Sequence, residues 1–246
     1  MKHTLAIVGC DAPVQITQSL KNLGYTVISL PPDVRLQKPV RSHADMLLCV
    51  IDQTVFCSDQ YFHSNQEIFD LIKSNGYNIV PCNVKISEQY PYDIAFNLLY
   101  VNNFILGNID FIANEIKEFA ASRNIKLVLI KQGYAKCSTL LLDNVALISA
   151  DNGILSNADK LNLSSLKITN SPDSVTLKGY DYGFIGGASG VLEKRVFFAG
   201  NIKYHPECHK ISEFCERLNF QISCLYDNPL IDVGGIIFLP PVQAHD

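Results

Sequence analysis

Three short stretches of the chain hold side chains whose types and spacing suit covalent or acid–base chemistry. The first is Lys136-Cys137-Ser138. A cysteine attacks as its thiolate, and a neighbouring ammonium or imidazolium raises the thiolate fraction. Successive strand residues point to opposite faces, which limits what Lys136 can do for Cys137. The plainer alternative is a small packed thiol. The second stretch is His43-Ala44-Asp45. An imidazole titrates near neutrality and suits general acid–base work. Read as the start of a strand, His43 and Asp45 share a face, so the carboxylate holds the imidazole or binds a guanidinium. The alternative is a polar pair capping a loop. The third is Asp232, ahead of Val233-Gly234-Gly235: either a carboxylate for a cationic ligand or a turn residue. Asn97 and Ser189 stand at comparable places, each ahead of an apolar run.

The elements that position these residues repeat along the chain. Around Asp143-Asn144, two apolar runs flank a two-residue turn, a hairpin signal. Lys136, Cys137 and Ser138 lead into this hairpin and Asp151 follows it. Comparable hairpins turn near Asp52-Gln53, Asn102-Asn103 and Lys194. Each is followed by a helix pattern and one further strand. The expected helices cover Pro13 to Leu23, Ser64 to Asn75, Ile109 to Ser122, Leu155 to Leu161, and a segment opened by His205-Pro206. Ser64 and Glu67 read as a capping box, while Gly24 and Gly76 read as helix stops. Hairpin exits fall at Gly9, Cys57, Gly107, Ala150 and Gly200, at intervals of 48, 50, 43 and 50 residues. ILGNI at Ile105 and FAGNI at Phe198 nearly coincide. Such a period marks a repeat architecture. The first unit lacks its leading strand and the C-terminal end carries a spare one. Pairing Ile236–Leu239 with Leu5–Val8 therefore closes a ring and covers two sheet edges. Asn170 to Asp181 stands outside the repeat as an insertion or connecting loop. The chain, 1–246, reads as one domain.

Composition narrows the function. The chain is 48% hydrophobic and 18% charged, with a formal net charge of −4. That supports a folded core and, with no basic run, argues against nucleic-acid binding. No apolar run is long enough to span a membrane, and the N-terminal segment reads as a first strand rather than a signal peptide. Eight scattered cysteines without a paired CxxC read as reduced cytoplasmic thiols. His205, Cys208 and His209 permit a zinc reading, but Pro206 at a helix start explains the stretch without metal, so none is expected. The segment Gly187–Gly190 lacks the spacing of a dinucleotide loop, and no cofactor is expected.

A closed ring of five hairpin–helix–strand units resembles the pentein, or guanidine-modifying-enzyme, fold: a pseudo-symmetric α/β propeller. Arginine deiminases, dimethylarginine hydrolases, amidinotransferases and agmatine deiminases share it, as does a non-catalytic ribosome anti-association factor. GYAKCS, SADNGI, GFIGGASG and DVGGIIFLPP more narrowly resemble an uncharacterised bacterial family of this fold. The enzymes bring a His-x-Asp, an acidic Gly-Gly segment and a nucleophilic Cys together at the ring axis. His43-Ala44-Asp45 matches the first, and Asp232-Val233-Gly234-Gly235 resembles the second loosely. The unit expected to carry the Cys has Asn97, and Cys137 comes one unit later. The resemblance implies a hydrolase or transferase for a guanidino or amide small molecule, with Cys137 as nucleophile and His43 and Asp45 beside it. Asn97, Lys136, Ser138, Ser189 and Asp232 would contact the substrate. The alternative is a catalytically silent pentein that binds a small molecule or a macromolecule. Substrate identity and oligomeric state stay open.

Overall fold

The structure is a computed structural model and describes residues 3–242. Its first unit is β1 (Leu5–Gly9), helix α1 (Val14–Asn22) and β2 (Thr26–Leu30). The second begins with a helical turn, α2 (Ala44–Leu47), then the hairpin β3 (Leu48–Ile51) and β4 (Thr54–Ser58). Helices α3 (Asp59–Ser64) and α4 (Gln66–Ser74) and strand β5 (Asn78–Cys82) complete it. The third is β6 (Leu99–Val101), β7 (Phe104–Gly107), α5 (Asn114–Ser122) and β8 (Lys126–Leu129). The fourth is β9 (Thr139–Leu142), β10 (Ala146–Ser149), α6 (Asn152–Lys160) and β11 (Ser164–Lys167). The fifth is β12 (Ser189–Leu192), β13 (Arg195–Phe198), α7 (Cys208–Arg217) and β14 (Gln221–Cys224), and the last strand is β15 (Ile237–Leu239).

Five three-stranded sheets result, each with a middle strand antiparallel to one neighbour and parallel to the other. As expected, β15 supplies the strand the first unit lacks, pairing Leu5 with Leu239 and Ile7 with Ile237. Five apolar clusters fill the seams between successive units, including the seam between the fifth and the first. The ring is thus closed by packing as well as by strand pairing.

Every unit's helix ends the same way. A left-handed residue follows it, Gly24, Gly76, Asn124, Asn162 or Asn219. The next amide then reaches back to the helix: Tyr25 to Leu20, Tyr77 to Ile72, Ile125 to Ala120, Leu163 to Ala158 and Phe220 to Cys215. This is the Schellman arrangement, which suits Gly and tolerates Asn. It turns the chain sharply into the outer strand five times.

Several local expectations are corrected. The capping box at Ser64 does not form, because Ser64 ends α3. Ser58 caps that helix instead, accepting from the Tyr61 amide at 3.2 Å. Helix α6 starts earlier than Leu155, since Asp151 Oδ1 accepts the Ile154 amide at 2.8 Å. Helix α5 starts at Asn114, later than Ile109. His205 lies outside α7 and its Nδ1 accepts the Glu207 amide at 3.0 Å, so the His205/His209 spacing does not fall on one helix.

Candidate functional site

The main difference between expectation and structure lies just ahead of each inner strand. His43 and Asp45 do not sit in a strand. Residues 44–47 form a helical turn, and residues 135–138 and 185–188 form turns at the equivalent places. Thr139 donates to Lys136 O, and Ala188 to Phe184 O. In such a turn successive residues advance by about 100°, so positions three apart share a face and positions two apart oppose. Counted back from the strand starts, His43, Ile94, Tyr134 and Phe184 are equivalent, as are Met46, Asn97, Cys137 and Gly187. Asp45 and Lys136 belong to the opposing set.

The two sets face two cavities. One, of about 260 Å³, is lined by His43, Met46, Tyr134, Cys137, Phe184 and Asp232, together with Tyr180 and Tyr182. The other, of about 460 Å³, is an axial well among the inner strands, with Asp45, Lys136, Ser189, Asp143 and Asn144 among its polar lining and Leu48, Leu99, Leu140, Val191 and Ile237 among its apolar walls. Cys137 and Lys136 thus open to different spaces, and so do His43 and Asp45.

Asp232 is the hinge of the first cavity. Its Oδ2 accepts the Phe184 amide at 2.9 Å and its Oδ1 the Gly234 amide at 3.0 Å. Cys137 Sγ lies 3.6 Å from Oδ2, and His43 Nδ1 lies 3.6 Å from Oδ1. Cys137, His43 and Asp232 are 5%, 5% and 3% exposed, so the cluster is almost dry. Burial, then the charges of Asp232 and Asp45, push the Cys137 thiol well above its ordinary pKa. The depressed pKa expected of a resting nucleophile is therefore reversed: the free protein holds a thiol. Asp45 is fully buried and neither carboxylate oxygen makes a well-formed hydrogen bond. Burial chiefly, and then the Asp232 charge, raise its pKa, while His43, Lys136 and the adjacent Cys137 thiol oppose.

The remaining expected residues bind the protein itself. Asn97 is wholly buried. Its Oδ1 accepts the Lys136 and Cys137 amides at 2.9 and 3.1 Å, and its Nδ2 donates to Asp45 O at 3.2 Å. It ties the turn carrying Asp45 to the turn carrying Cys137. The Ser138 hydroxyl donates to Tyr134 O and the Ser189 hydroxyl to Ile185 O, each at 2.8 Å. Glycines bring the last segments close. A Cβ on Gly187 would fall inside the Asp232 carboxylate, and one on Gly234 (φ 76) would overlap His43.

The aromatic walls were not anticipated. Residues within and just after the expected insertion fold over the cavity and contribute Leu177, Tyr180, Asp181, Tyr182 and Phe184. Tyr134 OH donates to Asp93 Oδ2 at 2.7 Å, which holds its ring opposite Phe184, with centroids 6.4 Å apart. The run Tyr180-Asp181-Tyr182-Gly183-Phe184, dense in aromatics for a loop, was the available signal. Among the described residues no group of three His, Cys, Asp or Glu side chains gathers in metal-binding geometry, and no helix is long and apolar enough to cross a membrane.

Comparison with solved structures finds the same fold in guanidino-modifying proteins. A cysteine-to-serine mutant of DDAH from Pseudomonas aeruginosa, complexed with citrulline, superposes with a TM-score of 0.55 at 9% identity, over 96% of this chain and 97% of that one. SxtG, an amidinotransferase of the saxitoxin pathway in Microseira wollei, gives 0.59 at 11% identity, over 99% and 95%. The N-terminal domain of ArgZ, an arginine dihydrolase of the ornithine–ammonia cycle in Cyanobacteria, gives 0.54 at 10% identity, over 96% and 95%. No curated protein matches the chain. A family model described as a family of unknown function, DUF6873, matches residues 7–237, and the chain belongs to that family, built on the pentein fold.

Proposed function

We propose that the chain is a pentein-type hydrolase or transferase that forms a covalent bond between Cys137 and the central carbon of a guanidino or amide group. The observation that carries this reading is the Cys137–Asp232–His43 contact at the floor of an aromatic cavity, with 3.6 Å on either side of the carboxylate. The thiol proton passes to His43 as Sγ bonds to the carbon, and His43 hands it to the departing amine. Water or an acceptor amine then gives a proton to His43 as it attacks the carbon and the C–Sγ bond breaks, and His43 returns that proton to Sγ. The raised thiol pKa fits a ligand-dependent nucleophile. A cationic group docked against Asp232 offsets the carboxylate charge that does most, after burial, to keep the thiol protonated, so binding itself favours the thiolate. The aromatic rings suit a flat or cationic group above it. The folds of the hydrolases and transferase named above support the reaction class by analogy.

One observation favours the second reading, a silent pentein that binds without catalysis: the resting thiol stands against two carboxylates and holds its proton. Alkylation with the cationic reagent 2-chloroacetamidine and the neutral 2-chloroacetamide at pH 7.5, read by peptide mass spectrometry, separates the two. The nucleophile reading expects the cation to label Cys137 faster by about tenfold or more, an advantage of ~1.4 kcal/mol, and expects Asp232→Asn to remove it. Equal slow labelling by both reagents leaves the binding reading.

A further inference from the structure

On the other side of the His43–Asp232 pair lies a separate cavity of about 550 Å³. It is framed by the segment from Lys38 to Ser42 and by the turn Leu177–Gly179, whose Gly179 packs on Pro39. Its donors and acceptors do not balance. Both carboxylates in its lining are supplied: Asp232 by the Phe184 and Gly234 amides, and Asp11 by the Ser42 hydroxyl at 3.2 Å and the Cys10 thiol at 3.8 Å. Its three cations are not. Among the described residues, Lys38, Arg41 and Lys178 form no ion pair. Arg41 Nε is enclosed by protein and has no acceptor there, so nothing among the described residues neutralises this guanidinium. What the cavity lacks is an acceptor carrying negative charge.

We infer that this cavity is a binding site for a small oxyanion of two or more negative charges, a phosphate ester or a polycarboxylate, held by Arg41, Lys38 and Lys178. The guanidinium supplies directional donors from the wall, while the two ammonium groups, both exposed, close over the ligand from either side. The volume accommodates more than a bare phosphate. This site goes beyond the reaction proposed for Cys137 and does not depend on it.

The test is calorimetric titration of the full chain with pyrophosphate and, separately, with citrate, ionic strength being held constant with chloride. At least one anion should bind at one site per chain with a Kd below about 1 mM. Lys178→Gln and Lys38→Gln should each weaken it about tenfold or more. Arg41→Gln should abolish it, and Lys194→Gln, at a distant hairpin turn, should not change it. Pyrophosphate alone identifies a phosphate ester, citrate alone a polycarboxylate, and both the shared oxyanion chemistry. Binding by neither anion, or binding unaltered in Lys178→Gln, overturns the site. Because Lys178 is exposed, misfolding does not obscure that result. Cys137→Ala should bind as the unmodified chain does, so this test and the alkylation test fail separately.

Discussion

Asp45 is where the protein gives up stability at the candidate site. Its carboxylate is fully buried and neither oxygen makes a well-formed hydrogen bond, the Cys137 thiol being a weak donor beside it. Burial first, then the Asp232 charge, raise its pKa. The folded state therefore keeps this proton to higher pH than the unfolded chain, whose Asp titrates near about 3.9. Folded protein binds more protons across that interval, so the contribution of Asp45 to stability falls as pH rises above about 4. Asp45→Asn removes the ionisation at nearly constant shape. The variant should melt above the unmodified protein at pH 7.5, by about 2–4 °C, and the gap should close as pH falls below about 4. Calorimetric scans across pH measure this, and a variant that melts lower at pH 7.5 would show that the carboxylate has a stabilising partner. The thiol is a second case. With neutral iodoacetamide at pH 7.5, Cys137 should label more slowly than exposed Cys224, because its proton is held by burial and two carboxylates. The types of these residues were legible in the sequence; their facing was not. Taking His43-Ala44-Asp45 with a strand's period of two put both side chains on one face, where the helical turn opposes them. Ala44, Ala95 and Ala135, one at the same place in each of three turns, were the pattern that period obscured.

At the scale of elements, the site depends on one buried amide bridging two turns. Asn97 stands where the resemblance would put a cysteine, and it accepts both amides that shape the Cys137 turn. Asn97→Ala leaves those amides and the Asp45 carbonyl without partners in a wholly buried place, a loss of roughly 2–4 kcal/mol. Urea titration should register it as a lower midpoint at unchanged slope; a midpoint within error of the unmodified protein would mean that water replaces the amide. The five helix ends explain why part of the repeat was visible and part was not. Gly24 and Gly76 announce a left-handed stop, whereas Asn124, Asn162 and Asn219 do the same task with a residue equally common in ordinary loops. Likewise α6 was underestimated because its cap, Asp151, was assigned to the preceding hairpin. The aromatic lid was missed for a physical reason too. It lacks period and is held by long-range contacts, such as Thr176 with Ile231 and Tyr180 OH with Gln37.

For the whole molecule, closure is the property from which the site follows, since Asp232 reaches His43 and Cys137 only if the last segment returns to the first unit. That segment does more than pair β15 with β1. Leu239 O accepts from Asn75 Nδ2 at 3.0 Å, Pro240 O from Tyr77 OH at 3.0 Å, and the Val242 amide donates to Asn75 O at 3.0 Å. The C-terminal strand therefore lies in the first sheet while its continuation clamps the helix end and outer strand of the second unit. Removing everything after Ile236 exposes the edge of β1 and uncovers the seam that Ile237 and Leu239 help fill, where a buried Leu alone contributes about 1.5–3 kcal/mol. The truncated chain should lose its cooperative melting transition rather than merely shift it, because the deleted residues pack in both seams of the first unit. A peptide of residues 237–242 added in trans should restore the transition in a concentration-dependent way, as strand addition to an open edge does. A truncated chain that melts like the full one would mean that the other seams suffice and that closure serves the site alone.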